Sequence, residues 1–382
     1  MTPATLEALR KRERDLFRHM AGAGSKRKRK DAQETYVKSS AVRKVAAVRA
    51  LSKLGLTITE SNVLEIAECA NPFSPCGEPI KVIKLPKPSG GVRTIHSFGP
   101  IRRAADFMAA RMLRACFAPH ADQYAARGRG RHMACEAIAR EFNNPKNEWR
   151  YAIIGDLKDA YGSIDLEQSC NAGRLPIPFK AFSYLSHPHS FGAKLAGIPQ
   201  GAAVGSPVLA MILHPVLDQM PHDGKPFNYE DDFAVLCGTE PAAAGIKQAL
   251  ADALHALPGC FAPKFLDVED VREGFDYLGY RFMTPEPGQV QIGIASKSVQ
   301  RLWEHAFERA NAGAAVDDLR SYVEKWKTAF SLADFDGPIS SEISMVPMVA
   351  VNSHLRQEGT QGIPMISGHS AGELKGCEQL PE

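Results

Sequence analysis

The sequence predicts an α+β fold, and three observations carry that expectation. Two short apolar strands end on carboxylates: "WRYAIIGDL" (149–157) stops at Asp156, and "FNYEDDFAVL" (227–236) folds back through Glu230, Asp231 and Asp232. A strand–turn–strand pattern with a basic Pro/Gly tip occupies "IKVIKLPKPSGGVRTIHSF" (80–98). Segments with apolar residues at helical spacing surround these strands on both sides.

In chain order, residues 1–20 and 40–55 read as helices, split by the basic run "SKRKRK" at 25–30. Helices follow the hairpin at 101–117 and 133–142, before the strand that ends on Asp156. Another helix is expected after Pro207, through "VLAMILHPVLDQM", and an Ala-rich one at 241–256. "FDYLGYRF" (275–282) reads as one strand, and 297–333 as two or three helices, with "LRSYVEKWKTAF" strongly amphipathic. Trp326 and Tyr322, four apart there, read as core rather than as a base-stacking platform. From about Asp336 the chain is Gly/Ser/Pro-rich and unpatterned, and reads as a loosely ordered tail. The expected organisation is a basic helical extension at 1–77, a central part at 78–295, a helical part at 296–335 and a tail at 336–382.

Composition narrows the class. At 382 residues, with 44% hydrophobic and 23% charged content, the chain has the balance of a globular protein. No run of eighteen apolar residues is present, so no membrane association is expected. The N-terminus lacks an apolar signal core, which points to the cytoplasm. Eight cysteines without a CxxC pair point to reduced thiols without zinc. Residues 1–50 hold 14 Lys/Arg against 5 Asp/Glu, whereas the rest holds 32 against 38. The basic run is either a solvated segment or a grip on nucleic-acid phosphates. His187 and His189 read as surface histidines on a Pro-containing loop.

If the two acid-tipped strands pair, Asp156 and Asp231 sit side by side at one end of a sheet, with Asp232 adjacent. Clustered carboxylates repel and raise one another's pKa unless a cation neutralises them. Hard oxygen ligands of this kind suit Mg²⁺ shared with substrate phosphates, and two such ions can serve nucleotidyl transfer. A solvated acidic hairpin turn is the alternative reading of the same residues.

"YEDD" resembles the YxDD motif of reverse transcriptases, and "DLKDAYGSID" resembles their motif A, 75 residues earlier from Asp156 to Asp231. "GIPQGAAVGSPVLAMI" (197–212) is similar to motif B, and "PKPSGGVR" (86–93) to the fingers hairpin of group II intron and related bacterial enzymes. "QYAARGRGRHMACEAI" (123–138) resembles the block before motif A, "FDYLGYRF" the primer-grip region and "LRSYVEKWKTAF" the thumb. The ordered series spans residues 78–333. The resemblance implies a right-hand polymerase: fingers and palm with an antiparallel sheet at 78–295, and a helical thumb at 296–335.

Position by position, it implies Asp156, Asp231 and Asp232 as catalytic carboxylates holding two Mg²⁺ ions, with Mn²⁺ as a substitute and the Leu157 backbone as a further ligand. Tyr161 matches the aromatic gate that selects dNTP over rNTP, with Asp159 and Ala160 beside it on the nucleotide. Lys87 and Arg93 match the basic pair on the triphosphate, by point charge and by bidentate fork. Gln200 matches the motif B glutamine near the incoming nucleotide, and Lys264 the motif D lysine proposed as a general acid for pyrophosphate; a plain surface lysine is its alternative. Arg127, Arg129 and Arg131 match template or RNA phosphate contacts, with a solvated loop as the alternative. Gly201 and Ser206 match nucleic-acid contacts of motif B. There the chain departs from the pattern: Pro199 to Pro207 is eight steps instead of seven, an extra residue within "AAVG".

About fifty residues follow the thumb, leaving no room for the further domains of homing retroelements, and the signatures of diversity-generating enzymes and retrons are missing. By elimination the chain resembles the stand-alone bacterial enzymes of the unknown-group or Abi type, many of them active in antiphage defence. The expected partners are an RNA template, a noncoding RNA by this resemblance, together with dNTPs and the DNA product. A protein partner or a homo-oligomer also stays open. So do untemplated or protein-primed synthesis at the same site, an idle maturase-like RNA-binding scaffold, and an RNA-dependent RNA polymerase.

Overall fold

A computed structural model describes residues 1–74, 76–86, 91–126, 128–178, 181–182, 197–259, 261–286, 288–334 and 343–351. The chain divides into two compact units, Met1–Ala295 and Ser296–Glu382.

The first unit opens with four helices, α1 (Pro3–Ala21), α2 (Lys26–Lys38), α3 (Ser40–Lys53) and α4 (Glu60–Cys69). The basic run expected to separate two helices is itself the start of α2, because Ser25 caps it by accepting the Lys28 N–H. These helices share one apolar core with α5 (Pro100–Ala115), through Leu16, Tyr36, Ala47, Leu51, Met108 and Met112. A buried ionic knot ties them together. The Glu13 carboxylate, 1% exposed, accepts from Tyr36 Oη at 3.1 Å and from Arg111 Nε at 2.7 Å. A charge this buried persists only when paired and hydrogen-bonded. The N-terminal helices are thus packed into the body of the first unit.

The fingers-like hairpin pairs β1 (Ile80–Pro86) with β2 (Val92–Phe98) antiparallel, Ile80 opposite Phe98. Then come α6 (Arg131–Asn143), β3 (Tyr151–Leu157), α7 (Leu166–Asn171), α8 (Gly205–Asp218), β4 (Gly224–Tyr229), β5 (Asp232–Cys237), α9 (Glu240–His255) and β6 (Pro263–Asp270). The four strands form an antiparallel sheet in the order β4-β5-β3-β6. Its interior residues Ile153, Val235 and Cys237 pack against Ala243 and Ile246 of α9. Both expected acid-tipped strands are central, which explains their unbroken apolar character. The fold is α+β, as expected.

"FDYLGYRF" is two strands where one was expected: β7 (Phe275–Tyr277) and β8 (Tyr280–Glu286) pair antiparallel, with β9 (Gln289–Ile294) beyond. Leu278 and Gly279 reverse the chain with φ of 50° and 86°. Positive φ at both central residues is the two-residue hairpin signature, which a leucine conceals.

The second unit holds α10 (Ser296–Asn311), α11 (Val316–Ala329) and a helix at 343–351, here α12. Trp326 lies 4.6 Å from Phe330, and the Tyr322 ring lies under Arg309. The α12 helix falls in the stretch expected to be loosely ordered. Ile343, Val346 and Ala350 are buried at helical spacing within it. Among the described residues, no helix is long and apolar enough to cross a membrane.

Candidate active site

The site is built at the end of the four-stranded sheet where β3 and β5 meet. Asp156 stands opposite Asp232 in the β3–β5 register. The expected side-by-side pair was Asp156 and Asp231. Asp231 instead occupies the two-residue turn with Glu230, and its carbonyl accepts the Leu157 N–H at 3.1 Å. Glu230 sits at a φ of 55°, a conformation uncommon outside glycine. Asn228 holds the turn: its Nδ2 donates to the Glu230 carbonyl at 2.9 Å and to the Asp232 carbonyl at 3.2 Å. This asparagine, 2% exposed, was not among the expected site residues. Its signal in the sequence is a lone amide in an apolar strand.

A cavity of about 850 Å³ opens over the acids. Asp156, Leu157, Asp159, Ala160, Tyr161, Asp231 and Lys264 line it. Gln200, Gly201 and Ser206 come from the motif B segment, and Arg93 from the hairpin. Asp232 is not among the lining residues.

Lys264 reaches the site because of a bulge. Asp156 pairs with Phe265 and Leu157 with Pro263, which leaves Lys264 as the extra residue between them. Its Nζ lies 2.7 Å from Asp156 Oδ2. A Cβ on Gly155, beside Asp156, would lie 2.7 Å from Leu266 Cδ1, so the leucine would have to shift to admit one.

Tyr161 is placed by the motif B segment. The Ile198 N–H donates to the Tyr161 carbonyl at 2.8 Å, and a Cβ on Gly197 would lie 2.1 Å from that oxygen. The same segment is tied to β2, since the His96 N–H donates to the Gln200 carbonyl at 2.9 Å. Gly201, at a φ of 103°, lets the two backbones approach.

The extra motif B residue is absorbed by two successive turns, from Pro199 to Ala202 and from Ala202 to Gly205. The start of α8 has no side-chain cap of its own. Asp106 on α5 supplies it, accepting from the Ala203 N–H at 2.6 Å and the Val204 N–H at 3.2 Å. Burial pushes the Asp106 carboxyl up to about 6, against the pull of those two bonds. Asp106 was not among the expected residues, because it caps a helix 97 positions away. Asp106→Ala is expected to destabilise the fold by about 1–3 kcal/mol, through two buried N–H groups left unpaired. Asp106→Asn, which keeps an acceptor, is expected to melt closer to wild type. Equal melting temperatures for the two variants would remove the capping role.

Arg129 Nη1 donates to the carbonyls of His120, Ala121 and Gln123 at 2.7–2.9 Å, so it holds the loop before α6. Arg131 starts α6 with its guanidinium over the Tyr280 ring. Ser206 Oγ donates to the Ala125 carbonyl at 3.4 Å. Lys87, Arg127, His187 and His189 lie outside the described residues.

The carboxylates suit a divalent cation. Burial, then the charges of Asp231 and Asp156, push the Asp232 carboxyl up to about 7. Burial and Asp156 also raise Asp231, with Arg93 opposing. That is the response of buried, crowded acids whose nearby cations, Arg93 and Lys264, only partly offset them. Among the described residues no three His, Cys, Asp or Glu side chains form a ready metal cage. Asp156 and Asp231 would therefore share an ion with backbone, water and substrate oxygens, a set that Mg²⁺ accepts.

No family model and no curated protein matches the chain. Solved structures similar to it include telomerase from Candida albicans in complex with a TWJ fragment of telomeric RNA. That match has a TM-score of 0.41 and 10% identity, over 82% of this chain and 63% of the telomerase chain. A second is the foamy viral protease-reverse transcriptase in complex with double-stranded DNA, with a TM-score of 0.34 and 12% identity, over 72% of this chain and 44% of that one. The chain thus spans less than two thirds of the length of either protein.

Proposed function

We propose that the chain is an RNA-directed DNA polymerase that adds dNTPs to a 3′-hydroxyl. The observation that carries this reading is the convergence in one cavity of Asp156 and Asp231, a basic residue from the hairpin and an aromatic ring from the turn after β3. A nucleotide needs each of these: carboxylates at the reacting phosphate, a cation on the triphosphate and a surface against the sugar.

In this reading Arg93 forks onto the triphosphate oxygens. The Tyr161 ring lies against the sugar, and the Gln200–Gly201 backbone brings β2 down over the nucleotide. Lys264 Nζ, at Asp156 in the resting site, stands where it can hand a proton to the leaving pyrophosphate. Asp156 and Asp231, with the Leu157 backbone, would hold Mg²⁺ ions, which lower the pKa of the attacking hydroxyl and stabilise the leaving oxygen. A template strand is a polyanion, and α2 presents Lys26, Arg27, Lys28 and Lys30 exposed to solvent. We assign the template as a noncoding RNA and the cellular role as antiphage defence, on the resemblance of the motifs to stand-alone bacterial enzymes.

The test is synthesis by the purified protein with its co-purifying RNA, Mg²⁺ and each labelled dNTP or rNTP, beside an Asp231→Ala/Asp232→Ala control. DNase-sensitive product complementary to the bound RNA, from wild type alone, is expected. DNA without a matching template, or DNA that shifts with protease, would point to untemplated or protein-primed synthesis. No product would support the RNA-binding scaffold. Tyr161→Ala is expected to raise ribonucleotide incorporation relative to deoxyribonucleotide on the order of a hundredfold, since the steric exclusion is lost. An unchanged ratio removes Tyr161 from that role.

A further inference from the structure

Helix α2 begins with five cations in a row, Lys26, Arg27, Lys28, Arg29 and Lys30, and no acid stands in its first turn. That placement is unfavourable by itself, because like charges repel and the start of a helix is the positive end of its dipole. Among the described residues, the ion pair of α2 joins Lys38 to Glu34 at 3.6 Å, at the far end of the helix, and none of the five cations enters one.

The row is held on a packed helix. Later turns of α2 are buried through Ala32, Gln33, Tyr36 and Val37. Gln33 Nε2 donates to the Pro176 carbonyl at 3.0 Å, and Tyr36 Oη to the Glu13 carboxylate at 3.1 Å. Ser25 fixes the first turn by accepting the Lys28 N–H at 3.2 Å. On this anchored helix Lys26, Arg27, Lys28 and Lys30 are exposed, and Arg29 is partly covered. A fixed backbone spares a ligand the cost of ordering it, so the charges form a prearranged patch. No residue of α2 lines the cavity over the acids.

The chemistry of the patch narrows its ligand. Five cations within about 6 Å of helix rise suit closely spaced anions, such as the phosphates of a nucleic acid. The helix offers no ring for a base to stack on, since its one aromatic, Tyr36, is 1% exposed. Single strands are gripped by cations together with aromatic platforms, whereas paired RNA is held through its backbone and shape. In an A-form RNA helix the major groove is narrow, so phosphates of both strands face each other across it. That double ridge suits a cluster of cations this compact.

We infer that the start of α2 is a docking site for a base-paired RNA stem, held by phosphate contacts without reading of bases and outside the nucleotide cavity. The identity of the partner as RNA rests on the polymerase reading above; what α2 holds is a folded stem of that RNA.

The experiment measures binding by the full-length chain, stripped of co-purifying nucleic acid, across a salt series with chelator present. The probes are a labelled RNA hairpin, an unpaired RNA of the same length and a DNA duplex of the stem sequence. The hairpin is expected to bind several-fold more tightly than either of the others. Lys26→Gln, Arg27→Gln, Lys28→Gln and Lys30→Gln combined are expected to weaken hairpin binding at least about tenfold at low salt. The slope of log affinity against log salt should flatten by about one for each cation removed. Glutamine keeps a helix propensity close to that of lysine, and circular dichroism and melting of the same preparations check the fold. The milder Arg27→Gln/Lys28→Gln pair, expected to flatten the slope about half as much, carries the test if the combined variant misfolds. Lys38→Gln removes a cation already paired with Glu34 and is expected to bind the hairpin as wild type does. Unchanged affinity and slope in the α2 variants overturns the inference. So does wild type that binds the unpaired strand or the DNA duplex as tightly as the hairpin. Wild type that docks the hairpin through α2 yet incorporates no nucleotide overturns the polymerase reading and leaves the docking site standing; wild type that incorporates nucleotides while the α2 variants dock the hairpin undiminished overturns the docking site alone.

Discussion

Asp231→Ala is expected to abolish nucleotide incorporation, by at least about a thousandfold, while the protein folds and melts as wild type or slightly higher. In the polymerase reading, the activity loss follows from removing a carboxylate that would hold a divalent ion at the reacting phosphate, where such an ion would contribute several kcal/mol to the transition state. The stability expectation has a separate origin. Among the described residues, none hydrogen-bonds the Asp231 side chain from another position, and burial and the nearby acids raise its pKa. Its removal therefore relieves repulsion and leaves no donor unpaired. The turn survives because Asn228 bonds the backbone carbonyls of Glu230 and Asp232, not the Asp231 side chain. Incorporation assays and a melting curve on the same preparation check both halves. Retained synthesis with a normal melting curve would remove Asp231 from the site.

Asp232→Asn is expected to raise the melting temperature in chelator at pH 8, and to have little effect at pH 4. Asp232 titrates near 7 in the folded chain and near the ordinary carboxylate value when unfolded. A folded pKa above the unfolded one means that the native state binds more protons between them. The contribution of Asp232 to stability is thus fully present below about pH 4 and is lost as pH rises through about 7. The shift of Asp231 has the same sign and adds to the slope. At pH 8 the ionised Asp232 costs on the order of a few kcal/mol, which the asparagine restores. Mg²⁺ is expected to raise the wild-type melting temperature most at that pH and to flatten the slope. A wild-type melting temperature independent of pH between 4 and 8 in chelator would contradict the crowding of these acids.

Much of this arrangement was legible in the sequence, and the reason is periodicity. An apolar strand that ends on a carboxylate declares its central place and its reactive end at once, as "AIIGDL" and "YEDDFAVL" do. The hairpin at 80–98 was equally plain, since Pro and Gly at its tip permit little else. The turn inside "FDYLGYRF" was hidden because Leu278 takes a positive φ that side chains rarely adopt. The helical character of the basic run was hidden because a cap at Ser25, rather than an apolar stripe, begins that helix.

By itself, then, the sequence determined which residues could do chemistry: the acids at 156, 231 and 232, the ring at 161 and the cations at 93 and 264. It could do so because side-chain type and local spacing are one-dimensional properties. Only the tertiary structure decided who stands beside whom. It put Asp232 rather than Asp231 opposite Asp156, aimed Lys264 at Asp156 through a bulge and turned Arg129 inward onto carbonyls. It brought Asp106 to cap a helix far along the chain, and set Glu230 in the same cavity as Tyr161. Apart from the Arg129 bonds, these join residues tens of positions apart, set by sheet register, burial and the need of every buried polar group for a partner. No local pattern encodes them.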